Sequence, residues 1–254
     1  MTMPVLFVGH GSPMNALEDN AFTAGWRAAA SAIPRPRAIL CVSAHWQTDG
    51  PHVTAMERPR TIHDFYGFPP ELFRVQYPAP CSPWLAGRVV ALGAAHGIAK
   101  NSGWGLDHGA WSVLIRMYPE ADVPVVQLSL DARRSPAEHF ALARSLRPLR
   151  DEGVLLLGSG NIVHNLRLIR WEDVAYDWAT EFDSKVAQRI ERQDDAALVD
   201  YRSLGPGAAL AVPTDEHYLP LLYALAQRDA GEKATFFAEG VTLGSISMRS
   251  LRIG

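Results

Sequence analysis

PVLFVGH at residues 4–10, AILCVSAH at 38–45 and VLLLGSGNIVH at 154–164 are built alike. Each opens on a short, unbroken apolar run and ends on a histidine. Runs of this length and composition read as buried strands. Val123 to Leu130 reads as another, Val53 to Met56 as a strand on an edge, and Thr235 to Ala238 and Gly244 to Met248 as closing strands. Helical patterns lie between them: Ala21 to Ile33, Pro83 to Gly97, Gly109 to Met117, Pro136 to Leu149 behind Ser135 as N-cap, Asp177 to Gln193 and Glu216 to Gln227. Strands alternating with helices predict an α/β fold with a central, mostly parallel or mixed sheet flanked by helices.

The 254 residues are 48% hydrophobic and 20% charged, enough to build one sizeable core without disulfide staples. With no internal repeat, low-complexity tract or composition break, residues 1–254 are expected to form one catalytic domain. A net charge of −3 with scattered arginines argues against a nucleic-acid partner. Cys41 and Cys81 have no close spacing, which does not suggest a zinc knuckle or a CxxC redox motif and fits a reducing compartment. Neither a signal peptide nor a membrane span is visible, so the expectation is a cytoplasmic protein without a membrane partner. The segment from Pro59 to Pro80, crowded with prolines and aromatics, reads as a long ordered loop of the kind that serves as a lid or binding wall.

Five of the nine histidines carry the functional reading. His10, His45 and His164 each lie just beyond a buried strand. In open α/β sheets the ligand crevice forms outside the carboxyl ends of the strands, so parallel strands would bring these imidazoles together there. His108 stands between Asp107 and Gly109 at a helix start. His217 falls in the first turn of the predicted helix from Glu216, where the positive helix end favours the neutral, metal-binding imidazole. Asp107 and Glu216 are either helix-start charges or partners of the site, and Glu216 is the rival metal ligand, because two histidines and one carboxylate form the common non-haem Fe(II) triad. His96 and His139 are expected to be solvated on helices, and His63 belongs to the aromatic loop. No GxSxG elbow, GxGxxG fingerprint or HExxH pair is present.

Taken together, GHGSPMNAL (9–17), SAHW (43–46), DFYGFP (64–69), LDHGAW (106–111), GSGNIVHNL (158–166), EHYLPL (216–221) and SISMRS (245–250) resemble the DODA-type (4,5-DOPA) extradiol dioxygenases of the class III, LigB-like superfamily. The segments keep the family order over nearly the whole chain. Ala110 and His63 depart from the pattern, which has threonine and tyrosine there.

The resemblance implies that His10, His45 and His217 bind a divalent metal, Fe(II) for catalysis, with zinc a frequent occupant of such sites after purification. It makes His164 the acid–base residue and a possible fourth ligand, and His108 a substrate-binding or proton-transfer residue. The implied substrates are a small aromatic diol and O₂. Such chemistry requires a redox-active ion with open positions, which both catechol oxygens can chelate. Tyr66, Phe68 and Trp46 are candidate walls for the ring. Two rival functions use the same fold: a zinc-dependent hydrolase and a non-enzymatic binding protein. The oligomeric state, the physiological catechol and the bond cleaved are not legible in the sequence.

Overall fold

The computed structural model describes residues 2–172 and 174–254. Strand β1 (Val5–Gly9) leads through helix α1 (Ala21–Ser31) to β2 (Ala38–Thr48) and β3 (His52–Thr54). After β4 (Arg60–Thr61), the aromatic loop contains one helical turn, α2 (Pro70–Phe73). Next come α3 (Pro83–Leu92), β5 (Ala99–Asn101), β6 (Gly105–Leu106), α4 (His108–Met117), β7 (Val125–Asp131), α5 (Pro136–Ser145) and β8 (Val154–Gly160). Beyond β8 lie α6 (Asp177–Glu191), α7 (Asp195–Val199), α8 (Ala208–Ala211), α9 (Leu219–Leu225), β9 (Ala234–Phe237), β10 (Val241–Thr242), β11 (Ile246–Ser247) and β12 (Ser250–Ile253).

Eight strands form one sheet in the order β5-β3-β7-β2-β8-β1-β12-β9. Its centre, β7-β2-β8-β1, is parallel. Antiparallel pairing of β12 to β1, β9 to β12 and β3 to β7 makes the whole sheet mixed. The apolar runs are continuous because both faces are covered. Val5, Phe7, Leu40, Val42, Val154 and Leu156 pack with α3, α5, α6 and α9. Leu6, Val8, Ile39, Cys41, Leu155 and Leu157 pack with α1 and α4, around the buried Trp26 and Trp111. The expected cap is present: Ser135 accepts from the Glu138 amide, and Glu138 accepts from the Ser135 amide at 2.9 Å.

Four expectations need correction. Strand β3 is not an edge, because β5 pairs outside it; Ala99–Asn101 is too polar and short to signal a strand. The last helix starts at Leu219 rather than Glu216, so His217 sits in the preceding turn. The sheet ends in β12 and, at its edge, β9, whereas Ile246–Ser247 pairs outside it with β10, and Ile246 bridges to His164. His139 is fully buried rather than solvated: its ring nitrogens contact the Tyr223 hydroxyl at 3.0 Å and the Asp131 carbonyl at 3.1 Å. Helix α5 is covered by α9 as well as by the strand that ends at Asp131, so its inward face accepts a histidine once both nitrogens are satisfied.

Candidate metal centre and active site

The parallel strands β1, β2 and β8 deliver their C-terminal ends to one hollow. His10 directly follows β1, and His164 lies four residues beyond Gly160, the end of β8. His45 is carried within β2 by an irregular stretch. Val42 faces Leu128 and Gln47 faces Leu130, so five steps along β2 match two along β7. The unpaired residues free His45 from the ladder. His217 enters from the turn before α9, where its carbonyl accepts the Asn161 amide at 2.8 Å. A Cβ on Gly160 would lie 2.1 Å from that carbonyl, and one on Gly109 would lie 2.8 Å from His45 Cδ2. Glycine at these two positions is what lets β8 and α4 approach the histidines.

All five histidines singled out in the sequence meet here. Ring centroids are 5.1 Å apart for His10 and His45, 5.3 Å for His10 and His217, and 5.0 Å for His45 and His217. His108 lies 3.8 Å from His45, and His164 stacks on His217 at 3.4 Å. One ring nitrogen from each of His10, His45 and His217 falls within 4.8 Å of the other two.

Hydrogen bonds fix which nitrogens face inward. The Ser159 hydroxyl donates to the Gly109 carbonyl at 2.6 Å, so it accepts from His10 Nδ1–H at 3.0 Å. That leaves His10 Nε2 as a lone pair, 3.2 Å from His45 Nε2. Glu216 Oε1, held by the Thr214 hydroxyl, accepts from His217 Nδ1 at 3.2 Å. His217 Nε2 is therefore also a lone pair, buried without a hydrogen-bond partner. Two nitrogens bonded to one ion at about 2.1 Å stand about 3.0–3.4 Å apart, so the donor set fits a divalent cation. Carboxylate or carbonyl acceptors that orient a histidine by its other nitrogen are usual around metals.

Electrostatics point the same way. Burial holds the His10 imidazole well below its ordinary range, and the charges of His45, His108 and His164 add to this. Burial does the same to His45, reinforced by His108 and opposed by Asp64. At His217 burial again dominates, with His164 and His45 next. All three rest in the neutral form that binds metals. The helix dipole invoked from the sequence is not the reason for His217, which precedes its helix. His164 is lowered to about 4 by burial and then by His108, so it too is neutral, well below the ordinary value that recommended it as an acid–base group.

Sequence reasoning missed Asp64 and Ser159. Asp64 Oδ1 accepts the His108 amide at 2.9 Å; its Oδ2 lies 3.0 Å from His108 Nδ1 and 3.6 Å from His45 Nδ1. Burial pushes the Asp64 carboxyl up, but the contact with His108 and the charges of His108 and His45 outweigh it and hold it below the usual range. Both residues lie inside quoted motifs, DFYGFP and GSGN, but a carboxylate and a hydroxyl in loops carry no signal of which imidazole they face. Asp107 is instead the buried N-cap of α4, accepting from the Ala110 amide, the Ser43 hydroxyl and the Gln127 amide group.

The histidines floor a cavity of about 420 Å³ walled by Phe65, Tyr66, Phe68, Leu166 and Trp171. Tyr66 and Phe68 stand where the sequence placed them. Trp46 does not: it is buried and stacked on Trp104, with ring centroids 5.5 Å apart. His63 is held by the Val75 carbonyl and packs on Trp111, outside the cavity lining.

A buried cluster of imidazoles at the carboxyl edge of a parallel sheet, opening into an aromatic-walled cavity, fits the class of metal-dependent enzymes with an aromatic-lined pocket. Residues 4–247 match the family described as the catalytic LigB subunit of aromatic ring-opening dioxygenase. The chain belongs to this family of extradiol ring-cleaving dioxygenases. It is 51% identical to the 4,5-DOPA dioxygenase extradiol of Escherichia coli K12, over 99% of this chain and 95% of that one. It is 39% identical to the enzyme of the same name from Beta vulgaris, over 90% of this chain and 88% of that one. The crystal structure of an uncharacterized protein from E. coli K12 superposes with a TM-score of 0.88 at 47% identity, covering 99% of this chain and all of the other. Family membership displaces the hydrolase and binding-protein readings. Among the described residues, no helix is long and apolar enough to cross a membrane.

Proposed function

We propose that the chain, as one catalytic domain, opens the ring of a DOPA-like catechol with O₂, using Fe(II) held by His10, His45 and His217. The observation that carries this reading is the set of inward nitrogens: the lone pair of His10 Nε2, 3.2 Å from His45 Nε2, and the orphaned, buried Nε2 of His217. Glu216 serves as the acceptor that orients His217 rather than as a ligand, because it is engaged by Nδ1, on the side of the ring away from Nε2. His164 stacks against His217 instead of pointing along the same nitrogens, and its role is acid–base. The cytoplasm, which keeps iron reduced and thiols free, is the compartment that suits this chemistry.

When bound, Fe(II) supplies Lewis acidity to the two catechol oxygens and a path for electrons from the ring to O₂. The chain's own residues do the rest. Phe65, Phe68 and Tyr66 hold the ring and exclude water from the histidine floor. Neutral His164 accepts a proton from a substrate hydroxyl on its imidazole nitrogen. That proton is then available to return as the ring opens, and general acid–base catalysis of this kind contributes about 10²–10⁴-fold. His108, anchored through Nδ1 and its amide by Asp64, presents its other nitrogen to the substrate oxygens.

Anaerobic reconstitution with Fe(II), followed by oxygen uptake with DOPA and a panel of catechols, tests the proposal. Coupled uptake and a yellow semialdehyde are expected. A protein with stoichiometric Fe(II) and no uptake across the panel overturns it.

A further inference from the structure

The first turn of α4 is tied to three of the five histidines, and one carboxylate makes two of the ties. Asp107 is fully buried. Its Oδ1 accepts the Ser43 hydroxyl at 2.6 Å and the Ala110 amide at 3.1 Å, and its Oδ2 accepts the side-chain amide of Gln127. Ser43 Oγ in turn accepts the His45 amide at 3.3 Å, where β2 has left its ladder with β7. His108 is the first residue of the helix that Asp107 caps. The third tie runs from the Gly109 carbonyl through Ser159 to His10. A Cβ on Gly109 would lie 2.4 Å from Ser43 Oγ, so the turn and the strand pack in direct contact.

These contacts exceed what a helix cap needs. Capping uses one oxygen and one backbone amide, and asparagine or serine does it as well. Here three donors converge on the carboxylate. Burial raises the Asp107 carboxyl and Asp64 adds to this, while the Ser43 and Gln127 contacts pull it back. Gln127 cannot turn its amide round, because its Oε1 accepts the Asp107 backbone amide at 3.1 Å. Its own backbone is fixed in β7, opposite Cys41 of β2, and donates to Thr54 Oγ1 at 2.8 Å. The carboxylate therefore joins a rigid part of the sheet to the one stretch of β2 that the ladder with β7 does not hold.

We propose that Asp107 is a positioning residue of the metal centre: through Ser43 it sets where β2 places His45, and through the cap of α4 it sets His108 in the same frame. This rests on the metal-centre reading above.

The polarity of the Asp107–Gln127 pair supplies the test. In Asp107→Asn the Ala110 amide keeps the asparagine oxygen on the capping side, so the cap and the Ser43 contact survive. Oδ2 becomes an NH₂ group that meets the NH₂ of Gln127. Adding Gln127→Glu restores every hydrogen bond with the charge moved across the pair. The probe is Co(II), titrated anaerobically into the apo protein, with the affinity read by chelator competition and the ligand geometry by the visible absorption of the bound ion. Asp107→Asn is expected to bind about tenfold more weakly with a changed spectrum, the lower end of the loss for an orienting group, because Asp107 reaches the imidazole only through Ser43. The double variant is expected to regain affinity and spectrum. Ser43→Ala leaves the cap alone and cuts only the link to His45, so a similar loss is expected there. Wild-type affinity and spectrum in Asp107→Asn or in Ser43→Ala, even with a lowered melting temperature, would make the network merely structural and overturn the proposal. A double variant no better than Asp107→Asn also overturns it. The wild-type titration tests the metal centre itself and the variant ratios test Asp107, and neither depends on turnover.

Discussion

Replacing Ser159 by alanine tests the hydrogen-bond relay behind the metal centre. The side chain is fully buried, accepts from His10 Nδ1 at 3.0 Å and donates to the Gly109 carbonyl at 2.6 Å. Alanine fills nearly the same space, so the change removes two hydrogen bonds without opening a large cavity. Leaving a buried imidazole N–H without an acceptor costs about 1–3 kcal/mol. In a chain of this size each kcal/mol lowers the melting temperature by about 2–4 °C. The more telling effect is on His10 itself. Without the Ser159 hydroxyl, only the backbone of residue 159 is left to hold the proton on Nδ1, so the tautomer that frees Nε2 is selected less strongly and the ring is freer to rotate. Loss of an orienting partner of this kind lowers metal affinity about 10- to 100-fold. Thermal unfolding of the apo protein and metal titration against a chelating indicator measure the two effects separately. A variant that loses stability yet binds metal within twofold of the wild type would refute the orienting role and leave Ser159 a packing residue.

Other outcomes follow from the same geometry. His10→Ala is expected to lose stoichiometric metal, whereas His164→Ala keeps it and loses about 10²–10⁴-fold in turnover; metal analysis beside oxygen uptake decides, and near-normal turnover in His164→Ala removes its acid–base role. Glu216→Gln keeps a hydrogen-bond acceptor beside His217 Nδ1 and is expected to reduce metal affinity by no more than about 10- to 100-fold, while abolished binding would make Glu216 a ligand. Burial lowers the His139 imidazole, so the unfolded chain takes up a proton near pH 6.5 that the folded chain refuses. Its contribution is complete above that pH and is lost as the pH falls below it, at up to about 1.4 kcal/mol per pH unit. Denaturant unfolding from pH 7.5 to 5 is expected to show a shallower slope for His139→Gln than for the wild type, and equal slopes would contradict the assignment.

Most of the fold was legible because parallel strands buried on both faces leave an unmistakable trace. PVLFV, AILCV and VLLL could hardly be anything but central strands, and the histidine after each could only lie at the carboxyl edge. The convergence of His10, His45, His164, His108 and His217 followed from that placement together with the family resemblance. What escaped was set by tertiary contacts rather than by local pattern. Asp64 and Ser159 look like ordinary loop polars until the imidazoles beside them are known. Trp46 shares a motif with His45 but points to Trp104, because neighbouring residues on an extended chain face opposite ways. His139 reads as a surface helix residue, and only the approach of Tyr223 from α9 buries it. The short, polar β5 became a strand because β3 offered it an edge, not because of its own residues.

The extra residues of β2 between Val42 and Gln47 separate two jobs that a straight strand would have to combine. The sheet on either side of the irregular stretch is a fixed ruler, pinned by its pairing with β7 and β8. The stretch itself is a spacer whose length sets how far His45 reaches. A change in the length of that spacer would move His45 relative to the other four histidines while every ladder pairing stays in place, so the site can be retuned without the fold being renegotiated.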